Sequence, residues 1–133
     1  MAIILDADVI IRGEKSRFDL VHWLESLAGE EFEIAAITVA ELWHGVERAT
    51  GAHKTARESY LRTLLDVLPV LPYTEQTAYH HARIWSELES SGKMMGPYDL
   101  IVAATALERN SRLATFNKRH FANVKELKVI EPK

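Results

Sequence analysis

The sequence predicts an α/β domain, a three-layer sandwich with a mainly parallel central sheet, on three observations. Short apolar runs of strand length alternate with longer segments whose apolar residues recur at helical spacing, the pattern of parallel strands joined by helical crossovers. The first run, Ala2–Leu5, is unbroken rather than alternating, as a strand buried on both faces requires. Acidic residues then fall just beyond expected strand ends, where open α/β sheets bind their ligands.

The N-terminal stretch 1–11 is the one around which the other elements arrange themselves, because its strand runs straight into Asp6 and Asp8. Residues 12–15 read as a polar loop. Ser16 with Asp19 resembles an N-cap arrangement, opening a helix that carries Leu20, Trp23, Leu24 and Leu27 and stops at Gly29. A second strand is expected at 32–37, running into Thr38 and Glu41, which have the spacing of a capping box. The helix beyond carries Leu42, Trp43 and Val46 and ends near Gly51. Residues 53–68 form another, with Ala56, Tyr60, Leu61, Leu64, Leu65 and Leu68 as its stripe, so the two pack as a hairpin.

Pro69 makes 67–71 a short edge strand, since proline removes a ladder donor. Thr74 opens a helix with Ala78, Ala82, Trp85 and Leu88 on one face, ending at Ser91 and Gly92. Gly96 followed by Pro97 starts the next helix, and its almost wholly apolar run 100–107 predicts burial. A strand at 112–115, a turn or helical loop at 117–121 and a final strand at 127–130 complete the chain, with right-handed crossovers expected throughout. Neither repeats nor linkers interrupt it.

Composition limits the function classes. At 133 residues, 47% hydrophobic and 26% charged, this is an ordinary single globular domain rather than a disordered chain. The absence of cysteine excludes disulfides and thiolate metal sites and fits a reducing cytoplasm. No apolar run approaches the roughly 18 residues that span a bilayer, and Asp6 interrupts the first one too early for a secretory signal. A net charge of −3 gives no global basic field, so any RNA contact must use local patches.

Asp6, Glu41 and Asp99 all lie at or just beyond a strand's carboxyl end or early in the following helix, and Asn117 follows the strand at 112–115. In a parallel sheet these points share one rim. Two carboxylates 4 Å apart repel by about 4 kcal/mol at an effective dielectric of 20, so such a cluster binds a cation or raises a pKa. An all-oxygen donor set suits Mg²⁺ or Mn²⁺ rather than Zn²⁺, and the chemistry implied is metal-assisted hydrolysis at phosphorus. Each residue also has a plainer reading: Asp6 and Asp8 as strand-end and cap, Glu41 as the reciprocal member of a capping box, Asp99 as a helix-dipole partner, Thr115 and Asn117 as strand-end and turn.

The histidines carry less. His80 and His81 are adjacent on a helix and point apart, and His22, His44, His53 and His120 lack zinc-ligand spacing. Trp23, Trp43 and Trp85 sit in helical stripes as core or interface anchors.

Four segments together resemble the PIN domain, specifically VapC-type toxins of toxin–antitoxin pairs: ILDADVII, TVAELWHGVERA, GPYDLIVAATAL and LATFNKRHF. The resemblance covers nearly the whole chain, in order. It implies a ribonuclease whose acidic metal-binding triad is Asp6, Glu41 and Asp99, with Asn117 as a fourth, more variable polar site, Thr115 supporting the rim, and Mg²⁺ or Mn²⁺ as cofactor. Asp8 stands where the family usually has Asn or another small polar residue, and Asn117 where many members have Asp. An amide adds no negative charge, which weakens any second metal position unless Asp8 compensates.

The resemblance further implies an RNA substrate such as transfer RNA or ribosomal RNA, a homodimer, and a cognate antitoxin whose C-terminal segment lies near the hairpin of the helices that begin at Thr38 and His53, with Trp43 and the exposed side of 53–67 as contacts. Arg12, Arg48, Lys93, Lys118 and Arg119 flank the rim and are candidates for phosphate contacts. Two alternatives compete. A haloacid-dehalogenase-like phosphatase also places an Asp-x-Asp pair after its first strand, but it needs a later acidic pair, and no acid occurs here between Thr115 and Glu126. A non-catalytic module of the same fold is the other; an intact acidic triad argues against it, because clustered carboxylates cost stability.

Overall fold

The computed structural model describes residues 2–133; Met1 lies outside them. Five parallel strands, β1 (Ala2–Leu5), β2 (Glu31–Ala35), β3 (Val70–Leu71), β4 (Arg112–Ala114) and β5 (Val129–Ile130), form one sheet in the order β3-β2-β1-β4-β5. The chain builds outward from β1 to one edge, then returns past β1 to build the other half. The strand order therefore reverses at β1, and the crevice beyond the carboxyl ends of β1 and β4 is the switch point where such sheets bind ligands.

Alternation along β1 divides the interior in two. Ile3 and Leu5 face a core built from α1 (Ala7–Glu14), α2 (Leu20–Ser26), α3 (Ala36–Arg48) and α4 (Gly51–Leu65). Ile4 faces the other core, with α5 (Glu75–Ser90), α6 (Pro97–Arg109) and α7 (Lys118–Phe121). Three layers follow from the two-residue period of the pleat. As predicted, α6 is buried on nearly every side, with Val102, Ala103, Ala104 and Ala106 fully enclosed.

Several expected boundaries move. Residues 7–14 form α1, which runs through the loop predicted at 12–15. The β-branched run of Val9, Ile10 and Ile11 has strand character, but Asp6 captures the Ala7 N–H at 2.9 Å and nucleates a helix whose Val9 and Ile10 fill the core. Asp19, not Ser16, caps α2, accepting from the His22 N–H at 3.0 Å, while Ser16 takes a positive φ of 57° after α1.

The capping box of Thr38 with Glu41 does not form. Because β3 pairs only with Ile34 and Ala35, the strand stops there and α3 begins at Ala36. Thr38 is then inside the helix, its hydroxyl buried without a partner. On α5 the buried residues are Thr77, Ile84 and Leu88 rather than the Ala82 and Trp85 stripe, leaving Trp85 48% exposed and stacked on His81. Thr74 does cap α5, through a reciprocal pair of bonds with Thr77. Pro69 sits just ahead of β3 at the sheet edge, and its carbonyl accepts from the Ile34 N–H.

Candidate active site

The rim begins with strand register. Leu5 pairs with Ala114, and the next residues along, Asp6 and Thr115, leave the sheet side by side. The Asp6 N–H still donates to the Ala114 carbonyl at 3.0 Å, so the Asp6 side chain is aimed where the ladder ends. It is 5% exposed and doubly held: Oδ1 accepts from the Ala7 N–H, and Oδ2 accepts from the Thr115 hydroxyl at 2.8 Å. The Thr115 oxygen in turn accepts from the Asn117 N–H at 3.0 Å. One buried hydroxyl thus orients the first acid and the loop carrying the fourth polar residue.

Asp8, in the first turn of α1, accepts from the Phe116 N–H at 3.0 Å and lies 3.3 Å from the Thr115 hydroxyl oxygen. That hydroxyl has a single proton and a shorter bond to Asp6, so the Phe116 amide is the donor that fixes Asp8. The hydrogen bonds tie β1, α1 and the loop after β4 into one unit, and they hold Asp8 close enough to Asp6 for its charge to act there.

Glu41 and Asp99 approach from other elements. Glu41 is on the second turn of α3, and one of its carboxylate oxygens is buried with no hydrogen-bond partner. Asp99 is in the first turn of α6, where Gly96 is the N-cap and no side chain caps the helix. Its neighbour is His120 of α7, whose Nδ1 is 3.7 Å from Asp99 Oδ2.

The electrostatics join the three acids. Burial raises the Asp6 carboxyl to about 6 against the pull of the Thr115 and Ala7 bonds, and the charges of Asp8 and Asp99 add to the rise. Burial likewise raises Glu41 to about 7, reinforced first by Asp6 and then by Asp99. Asp99 is raised by burial and partly restored by His120; Asp8 is raised by burial and partly restored by the Phe116 amide, Thr115 and Arg12. Elevated carboxyl groups facing one another mark a site that gains from a cation.

The donor set, carboxylate oxygens with a hydroxyl behind them, fits a hard divalent ion, and the partnerless Glu41 oxygen is a buried acceptor in need of one. Among the described residues no three His, Asp or Glu side chains are gathered into a metal-holding group. The coupling of the three acids is through space rather than through a closed shell.

Asn117 is exposed, and its side chain caps nothing. It borders a groove of about 370 Å³ lined by Phe116, Asn117, Lys118, Arg119, His120 and Glu131. Two neighbours escaped the sequence reading. His120 lacks zinc-ligand spacing, and the signal the sequence does hold is its place about one helical turn after Asn117. The Phe116 backbone amide carried no signal at all.

Residues 3–127 match the PIN domain. The chain belongs to the PIN domain family. Among curated PIN relatives, Ribonuclease VapC1 of Rickettsia felis is 28% identical over 98% of this chain and 96% of its own length. The tRNA(fMet)-specific endonuclease VapC of Salmonella typhimurium is 26% identical over 97% of this chain and 96% of its own length. Among solved structures, VapBC2 of Rickettsia felis, bound to a DNA fragment from its promoter, superposes with a TM-score of 0.92 at 25% identity, covering all of both chains. The five-stranded parallel sheet seen here is the sheet of these PIN neighbours. Among the described residues no helix is long and apolar enough to cross a membrane.

Proposed function

We propose that this PIN protein is an endoribonuclease acting as the toxin of a toxin–antitoxin pair, hydrolysing RNA phosphodiester bonds with Mg²⁺, or Mn²⁺ in its place. The observation that carries the reading is the pairing, at the switch point, of a buried and oriented Asp6 with a Glu41 oxygen that has no partner among the described residues. Asp6, Glu41 and Asp99 would hold the ion, and the Asn117 amide would complete the polar surround. A divalent cation supplies an activated water at neutral pH and offsets charge on the phosphoryl oxygens. Thr115 holds Asp6 in its ionised orientation, and His120 draws the proton affinity of Asp99 down toward the ordinary carboxylate range.

The relatives bear on partners. One is named as a tRNA(fMet)-specific endonuclease and another was solved as a VapBC complex, which supports transfer RNA as substrate class and an antitoxin as partner here. The α3 and α4 hairpin, where the Arg62 guanidinium lies over the Trp43 ring at 4.9 Å, is the proposed seat of the antitoxin, with the toxin a cytoplasmic homodimer. The test incubates purified, antitoxin-free protein with transfer RNA and with total RNA, in Mg²⁺, Mn²⁺ and chelator, beside Asp99→Asn. Metal-dependent cleavage lost in the variant supports the reading. Inactivity of the wild type on both RNAs in either metal rejects it and favours a non-catalytic PIN module, whereas full activity of the variant rejects Asp99 as a member of the site.

A further inference from the structure

At the border of the acidic rim Arg12 is a cation seated on an aromatic ring. Arg12 lies one helical turn beyond Asp8 on α1, and its guanidinium carbon sits over the Phe116 ring, 4.2 Å from the centroid. Phe116 is itself held twice, by its backbone N–H on Asp8 at 3.0 Å and by edge contact with Phe18 at a centroid distance of 5.2 Å. Arg12 is exposed. Among the described residues the arginines in ion pairs are Arg57, Arg62, Arg83, Arg109 and Arg112; Arg12 is in none of them.

An arginine seated over an aromatic ring can keep N–H groups free for a ligand, and the planar fork matches phosphate oxygens. The stack also removes much of the side-chain freedom that a surface arginine would lose on binding. A net-negative chain with a carboxylate-lined rim repels RNA, so a preset cation at its border is where the strand would be gripped. We propose that Arg12, laid on Phe116, is a positioning residue that binds an RNA backbone phosphate flanking the one cleaved. This rests on the ribonuclease reading above.

The probe is a fluorescein-labelled, unstructured 20-nucleotide RNA, its affinity measured by anisotropy over a salt series in the cleavage-deficient Asp99→Asn background. Arg12→Gln is expected to weaken binding about tenfold and to make the log–log salt slope shallower by about 0.7. Arg12→Lys should restore the slope but only part of the affinity, because it keeps the charge and loses the fork. Phe116→Leu should keep the slope and lose part of the affinity. Thermal melts of each variant identify any loss of folding. Unchanged affinity and slope in Arg12→Gln would overturn the assignment of Arg12 while leaving the ribonuclease reading intact. Failure of the Asp99→Asn protein to bind RNA, together with a wild type that cleaves none, removes both.

Discussion

The two halves of the acidic rim are held in different ways. On the β1 side, Asp6 and Asp8 are locked by the Ala7 and Phe116 amides and the Thr115 hydroxyl, so these acids hold the fold together as well as facing the site. On the other side, Glu41 and Asp99 are carried in by α3 and α6; no side-chain bond fixes Glu41, and Asp99 has only a 3.7 Å approach to an exposed His120. Both halves bear raised carboxyl groups, but the first has several close donors, whereas on the second Asp99 is eased by His120 alone and nothing offsets the rise of Glu41. Charge placed without compensation weakens a fold and is retained where a ligand repays it. The proposed function therefore predicts that the Glu41 and Asp99 half contributes less to the fold than to the reaction.

That contrast breaks most sharply on activity. Asp99→Asn should lower metal-dependent RNA cleavage on the order of a thousandfold, while the metal-free protein melts no lower than wild type, because the change removes repulsion. A large fall in melting temperature would place Asp99 with the structural half.

Thr115→Val should act the other way, through stability. It leaves Asp6 Oδ2 and the Asn117 N–H without their partner in a buried site, costing about 1–3 kcal/mol, read as a melting temperature several degrees lower. Thr115→Ser should recover most of it. A Val variant as stable as wild type would show that the Asp6 bond contributes nothing net.

A smaller effect is read by pH, where Glu41 extends the decline above the range of Asp6. Glu41 rises from an ordinary 4.5 to about 7 on folding, so between those values the native state binds more protons than the unfolded one and stability falls as pH rises. The metal-free protein should lose melting temperature from pH 5 to 8, and Glu41→Gln should flatten that decline. Mg²⁺ should bind more weakly at pH 6 than at pH 8, since protons compete for the same oxygens. A metal-free protein whose stability climbs steadily over this range contradicts the assignment.

The smallest expected change is at Asn117. Its side chain is exposed and caps nothing, so Asn117→Ala should leave stability within about 0.5 kcal/mol and reduce cleavage only modestly. A drop as large as that of Asp99→Asn would promote Asn117 to an indispensable member of the site.

By itself the sequence determined the α/β class, the central place of β1, the buried α6 and the candidate rim residues, because these depend on apolar period and on acids following strand ends, both of which are local. It misread what depends on competition between local signals. Residues 12–15 read as a polar loop, yet the helix capped by Asp6 runs through to Glu14; Thr38 and Glu41 have capping-box spacing, yet strand pairing stops at Ala35 and starts α3 earlier. Only the tertiary structure decided that Thr115 orients Asp6 across the sheet, that Phe116 holds Asp8 and seats Arg12, and that His120 faces Asp99. Each joins residues distant in sequence through strand register and helix packing, and no local pattern encodes such a meeting.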